Sequence, residues 1–260
     1  MASKSSLPTV CGEDIPPAIS EIDQLGFQET LMNTARGRGL QSPLSLQKCM
    51  WPAVARGRSV VCVSKRKSGK TLGYILPLLN SIIEMHGQIS DKTDEYGPIA
   101  LILVLSAETA ERIGKICSAL ISSIKKVNCV VLHSGLSECD VYCRLLNGCS
   151  VLVATPKSFL NALLLPITHR YTFTNLRRLS HLIIDEAEVL LNKSADSVAK
   201  ILIEITSAIS ARQIEGSPSA GIQFIASASE WTKDVEEFYK SMTPYQPILI
   251  KGAGFKDEKK

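Results

Sequence analysis

At 260 residues the chain can hold one large α/β domain or two small ones, and 45% hydrophobic residues supply enough apolar surface to exclude global disorder. Aromatics are only 5%, so Ile, Leu, Val and Ala must fill the core, and a net charge of +4 neither demands nor excludes a polyanionic partner. Eight scattered cysteines form no C-x-x-C pair; the lone Cys139/Cys143 spacing has only His133 nearby, so free thiols in a reducing, intracellular compartment are the better reading than a metal site.

Residues 1–17 are Ser/Pro-rich and polar, read as a mobile segment, and carry no apolar stretch of the secretory kind. No run of 18 apolar residues occurs anywhere, so no membrane span is expected. The glycosylation tripeptide Asn192-Lys193-Ser194 is inert in an intracellular protein.

A single domain is expected over residues 18–252. A helix around Thr34–Arg38 forms an addition before the first strand. Apolar runs then recur at Ser59–Ser64, Ile99–Leu105, Asn128–Leu132, Ser150–Ala154, His181–Ile184, Ile222–Ala226 and Gln246–Ile250. They are apolar on consecutive positions, the pattern of strands buried on both faces of a parallel sheet. Helical periodicities fill most intervals: Thr71–Met85, Ala107–Ile124, Ser137–Asn147, Pro156–Leu164, Ala195–Ser210 and Glu230–Ser241. Strand and helix in alternation predict an open, doubly wound α/β sheet of about seven strands with helices on both faces. Pro77 should kink the first of these helices or move its boundary. Gly87–Pro98 and Glu215–Gly221 read as flexible loops, and residues 253–260 as a frayed charged tail.

Two motifs carry chemistry. Ser64-Lys65-Arg66-Lys67-Ser68-Gly69-Lys70-Thr71 directly follows a strand and opens a helix, the context of a phosphate-binding loop. There backbone N–H groups and the helix N-terminus cradle a phosphate, Gly69 allows close approach, Lys70 neutralises charge and Thr71 offers a hydroxyl to Mg²⁺. A solvated basic loop is the plainer alternative. Asp185-Glu186-Ala187-Glu188 follows another strand, so it sits at the carboxyl edge where ligands of open α/β sheets gather. Asp185 can hold Mg²⁺ through water and Glu186 can orient or deprotonate an attacking water. Acids placed at a helix N-terminus by the helix dipole are the alternative. The two motifs in this order on separate strands favour a nucleoside triphosphatase.

With both motifs placed, the chain from about Ile19 to Ile250 resembles the N-terminal RecA-like domain of DEAD-box RNA helicases, a three-layer αβα fold. Gly39–Gln47 looks like the Q motif, Leu105–Ala110 stands for P-T-R-E-L-A, His133-Ser134-Gly135 for the Gly-Gly pair and Thr155-Pro156-Lys157-Ser158 for T-P-G-R. Asp185–Glu188 replaces D-E-A-D and Ser227-Ala228-Ser229 replaces S-A-T. The resemblance implies ATP and Mg²⁺ as cofactors, catalysis by Lys70, Asp185 and Glu186, and nucleotide contacts from Ser64 to Thr71 with Gln47 reading adenine. It implies RNA contacts from Ser106, Gly135, Thr155, Pro156 and Lys157, and coupling between the two sites through Glu188, Ser227 and Ser229.

The departures matter as much. Lys67 replaces a Gly; if that position needs φ > 0 the cost is about 1 kcal/mol, and the long cation either crowds ATP or adds a phosphate contact. Leu44 replaces a Thr of the Q motif, and Ile22 stands where an aromatic would stack on adenine. Ala107 and Ser158 replace two arginines and Ser134 and Lys157 replace two glycines, which should lower RNA affinity and its salt dependence. That combination looks like the divergent domains of Tudor-domain helicases of the piRNA pathway, the Yb group included. It brings expectations of cytoplasmic RNA granules, piRNA-pathway partners, and a second RecA-like domain in a longer parent chain. Without that second domain, ATP turnover should be weak. A pseudo-helicase that binds RNA or protein without nucleotide turnover is the competing reading.

Overall fold

The structure is a computed structural model in which residues 7–88, 97–145, 148–164, 176–214 and 221–253 are described. Most of the two expected loops, the expected C-terminal tail from residue 254 and the first six residues lie outside that set. The described chain runs β1 (Thr9–Cys11), α1 (Glu29–Gly37), α2 (Ser45–Ala55), β2 (Val60–Val63), α3 (Lys70–Gln88) and β3 (Ala100–Leu103). It continues with α4 (Ala107–Leu120), β4 (Cys129–Leu132), α5 (Glu138–Leu145), β5 (Val151–Ala154) and α6 (Pro156–Leu163). It closes with β6 (His181–Ile184), α7 (Ala187–Ile214), β7 (Gln223–Ala228), α8 (Lys233–Ser241) and β8 (Ile248–Lys251).

One sheet of eight strands holds the domain, in the order β1-β8-β2-β7-β6-β3-β5-β4. Every pairing is parallel except β1 with β8. The expected parallel α/β sheet is therefore present, with one strand beyond the seven runs that the sequence displayed. That strand, β1, falls inside the segment expected to be mobile. Thr9, Val10 and Cys11 pair with Lys251, Ile250 and Leu249, and three mixed residues are too short a run to show as an apolar pattern.

The pleat divides the core. Val60 and Cys62 of β2 point to the layer of α1 to α4, whereas Val61 and Val63 point to the layer of α5 to α8. Because both faces are covered, each central strand reads as a continuous apolar run.

Three helices differ from expectation. Helix α3 runs through Pro77 without a break, where a kink or shifted boundary was expected. An interior proline costs about 3 kcal/mol, but Ile75, Leu78, Leu79 and Ile82 around it are fully buried, and each buried aliphatic returns about 1.5–3 kcal/mol. Helix α2 was not expected at all, since Pro43 and Pro52 flank and interrupt its pattern; Met50 and Trp51 are nonetheless wholly buried. Helix α7 starts at Ala187, directly behind the acidic box, and breaks at Ser194 (φ −133°, ψ 26°), so the expected Ala195–Ser210 helix is its second half.

Candidate nucleotide and nucleic-acid sites

Apart from Ile22, Leu44 and Gln47, which precede β2, the nucleotide and RNA candidates singled out above lie at the carboxyl edge of the sheet, in two groups. The first gathers behind β2, β7 and β6, and the second behind β3, β5 and β4.

In the first group, the segment between β2 and α3 turns through two left-handed residues, Lys67 (φ 61°) and Gly69 (φ 92°). The position of Lys67 thus does require φ > 0, at about 1 kcal/mol for a residue with a Cβ. Gly69 is required on two grounds, because a Cβ there would also meet Leu44 Cδ1 at 2.7 Å and Gln47 Nε2 at 2.8 Å. Lys70 is the first residue of α3 and is 9% exposed. Its ammonium folds back on the loop, donating to the carbonyl of Ser64, to the Lys65 carbonyl (3.0 Å) and to Ser229 Oγ (3.3 Å). Burial pushes its pKa down, while Cys62 and then the carboxylates Glu188, Asp185 and Glu186 oppose that shift. Lys65, Arg66 and Lys67 are exposed and Ser68 is half-buried, its Oγ without a hydrogen-bond partner among the described residues.

Asp185 leaves the end of β6 and is 3% exposed. Burial pushes its carboxyl up; Ser227 Oγ, which donates to Asp185 Oδ1, and the Tyr74 phenol draw it back down. Tyr74 is fully buried beside Asp185, and its hydroxyl has no partner in hydrogen-bond geometry among the described residues. Glu186 turns the chain into α7 with a left-handed backbone (φ 52°), and Glu188 is buried with Oε2 unpartnered. The Ser227-Ala228-Ser229 stretch ends β7 next to β2, where Ser64 N–H donates to the Ala228 carbonyl at 3.0 Å. One serine thereby holds Asp185 and the other receives Lys70.

Gln47 is where the geometry departs most from the resemblance. It is 2% exposed, its Oε1 accepts from Leu44 N–H (2.9 Å) and its Nε2 donates to the Gly69 carbonyl (3.2 Å). Its amide ties α2 to the phosphate loop rather than facing open space. Leu44 is 51% exposed and Ile22 only 6%, so the exposed apolar group next to Gly69 is Leu44. Tyr74 and Gly252 were not legible in the sequence: a Cβ at Gly252 would strike Ser64 Oγ at 2.1 Å, a contact between distant segments that no local pattern announces.

The oxygens present fit a hard divalent cation. Thr71 offers a half-buried hydroxyl next to Lys70 in the chain, and Asp185 and the orphaned Glu188 Oε2 supply carboxylate oxygens that act on the Lys70 ammonium. The glycine cradle and the lone Ser68 Oγ likewise suit a phosphate.

In the second group, Ser106, Ala107, Ser134, Thr155, Pro156 and Lys157 line a groove of about 710 Å³ together with the break in α7. Ser106 is the N-cap of α4, accepting from Thr109 N–H at 3.2 Å, and Thr155 precedes α6 with its Oγ1 donating to Ser158 Oγ at 2.9 Å. Gly135 N–H donates to His133 Nδ1 (3.1 Å) and is not among the groove-lining residues. Lys157 and Lys193 are exposed cations of the groove, and neither forms an ion pair among the described residues.

The sequence profile of the DEAD/DEAH box helicases matches residues 44–229. The chain is 31% identical over 203 residues to the ATP-dependent RNA helicase DBP2 of Candida glabrata, covering 78% of this chain and 35% of that protein. It is 28% identical over 244 residues to DEAD-box ATP-dependent RNA helicase 20 of Arabidopsis thaliana, covering 93% of this chain and 44% of that one. In fold it matches the RNA helicase Prp28 from Chaetomium thermophilum bound to ADP (TM-score 0.73, 21% identity, 95% of this chain and 54% of that one). The yeast DEAD-box splicing factor Prp28 gives a TM-score of 0.75 at 19% identity, over 95% of this chain and 53% of that one. The chain thus spans between about a third and about half of these four proteins. The phosphate loop, the acidic box and the S-A-S stretch that meet at one sheet edge all lie inside the matched span, and the chain belongs to the DEAD/DEAH box helicase family.

Proposed function

We propose that this chain is the ATP-binding RecA-like half of a divergent ATP-dependent RNA helicase. The observation that carries the reading is the cluster of buried Lys70, Asp185, Glu188 and Ser227 with half-buried Ser229 at the carboxyl edge, and the oxygens of Ser68 and Glu188 unpartnered among the described residues. In this reading the N–H groups of the loop from Ser64 to Gly69 and the start of α3 bind the phosphates, and Lys70 exchanges its loop carbonyls for phosphate oxygens. Thr71 and Asp185 would hold Mg²⁺ through water, and a bound ion would neutralise phosphate charge. Glu186 orients the attacking water, and Ser227 and Ser229 report the state of Asp185 and Lys70 to the RNA groove. RNA backbone lies across Ser106, Thr155, Pro156 and Lys157, with Gly135 beside it. Turnover and unwinding belong to a longer protein that supplies a second RecA-like domain.

Calorimetry with Mg-ATP and Mg-ADP tests the reading: binding to the native chain and its loss in Lys70→Ala support it, and equal binding by both chains contradicts it. A second reading, a pseudo-helicase platform, is favoured by two observations, the strained Lys67 and the occupied amide of Gln47. It predicts RNA affinity indifferent to nucleotide and to Lys70→Ala. Within the family, the lost arginines and glycines on the RNA side support placement among the Tudor-domain helicases of the piRNA pathway, acting with piRNA-pathway proteins in cytoplasmic granules. A parent sequence that runs into a second RecA-like domain without Tudor domains would remove that placement.

A further inference from the structure

Away from both groups, the outer surface of the first helical layer carries a groove of about 450 Å³. Its walls are Leu40, Leu72, Leu76, Ile116 and Ala119, with the buried Trp51 below them. That volume lies in the range of sites that take one or two large side chains. Among the described residues, the charged ones that line it are Arg38 and Lys115, both exposed. Neither side chain forms an ion pair or a hydrogen bond among the described residues, and no carboxylate lines the groove. An apolar slot rimmed only by unpaired cations is complementary to one kind of guest.

We propose that this groove docks a peptide segment of a partner protein, one that inserts a large apolar side chain flanked by carboxylates. The apolar side chain supplies burial, and the two cations at the rim set orientation and choice of partner. The groove also touches the machinery of the phosphate loop. The Trp51 indole N–H donates to the Leu72 carbonyl at 3.0 Å, and Leu72 follows Thr71 directly in the first turn of α3. A guest that presses on Leu72 and Trp51 therefore acts one residue from the metal-side hydroxyl. The inference does not depend on nucleotide binding.

A random heptapeptide phage library, panned on the native chain and on the Arg38→Glu/Lys115→Glu chain, tests it. Both substitutions lie on exposed side chains, so the fold is retained, which circular dichroism checks. The native chain should enrich peptides combining Asp or Glu with Leu, Ile or an aromatic. A synthetic copy of the leading peptide should quench or shift the fluorescence of buried Trp51 and bind the charge-reversed chain about ten-fold more weakly. An Ala119→Trp chain, with the slot filled, should lose the peptide. Enriched peptides without acids, equal affinity for native and charge-reversed chains, or amide shift changes mapping away from Leu72, Ile116 and Ala119 would each overturn the proposal. So would a library that yields no binder at all.

Discussion

At the scale of single residues, the phosphate loop depends on two backbone angles that lie where side chains are costly. Gly69 combines φ 92° with a Cβ position already occupied by Leu44 and Gln47. Gly69→Ala should therefore lower stability by about 1–3 kcal/mol and abolish nucleotide binding, as chemical denaturation and calorimetry would show. Unchanged stability would mean that the loop can rebuild around a methyl group. Lys67 carries a similar angle with a side chain, at the position where the resemblance had a glycine. The motif was legible because Ser-Gly-Lys-Thr sits between a strand and a helix. The left-handed angle at Lys67 was raised only as a condition, and the Gly69 bond of the Gln47 amide and the approach of Tyr74 to Asp185 were not legible, since both are set by contacts between segments distant in sequence.

At the scale of elements, the sheet was legible and its accessories were not. Strands β2 to β8 announce themselves as consecutive apolar runs because helices cover both faces, whereas β1 is three mixed residues at an edge. Helix α2 hides behind two prolines and is fixed by tertiary bonds instead. Gln47 closes its first turn onto the phosphate loop, and Gln223 Nε2 donates to the Val54 carbonyl near its other end at 2.9 Å. Gln47→Ala should cost about 1–3 kcal/mol by leaving Leu44 N–H without its partner and the Gly69 carbonyl with Gly73 N–H alone, and should loosen nucleotide binding as well. Hydrogen exchange should locate the loss at the start of α2 and in the loop.

The first residue of β6 adds a pH dependence. His181 is 4% exposed, its Nδ1 paired with Ser180 Oγ at 2.7 Å, and burial pushes its pKa down to about 4, against a smaller opposing pull from the Ile99 carbonyl. The neutral ring is the form the fold accepts. Its contribution is thus fully present above pH 6.5 and is lost as pH falls from there towards about 4, by up to about 3 kcal/mol. Denaturation of the native and His181→Gln chains across that window should show the extra acid sensitivity only in the native one.

At the scale of the molecule, one sheet edge is shared between two chemistries. Strands β2, β7 and β6 present the phosphate loop and carboxylates, and β3, β5 and β4 present the groove beside Ser106, Thr155 and Lys157. With Ala107 and Ser158 in place of arginines, few cations remain to contact a phosphate backbone. Lys157→Ala should therefore weaken RNA binding across sequences and reduce the slope of log affinity against log salt by roughly 1. An unaltered slope would place the RNA elsewhere. Whether this edge binds nucleotide through Mg²⁺ is decided by titrating the native chain with ATP in the presence of Mg²⁺ and again in the presence of a chelator. Saturable binding that requires Mg²⁺ is expected; no binding at millimolar ATP, or binding indifferent to the metal, would contradict nucleotide binding at this edge.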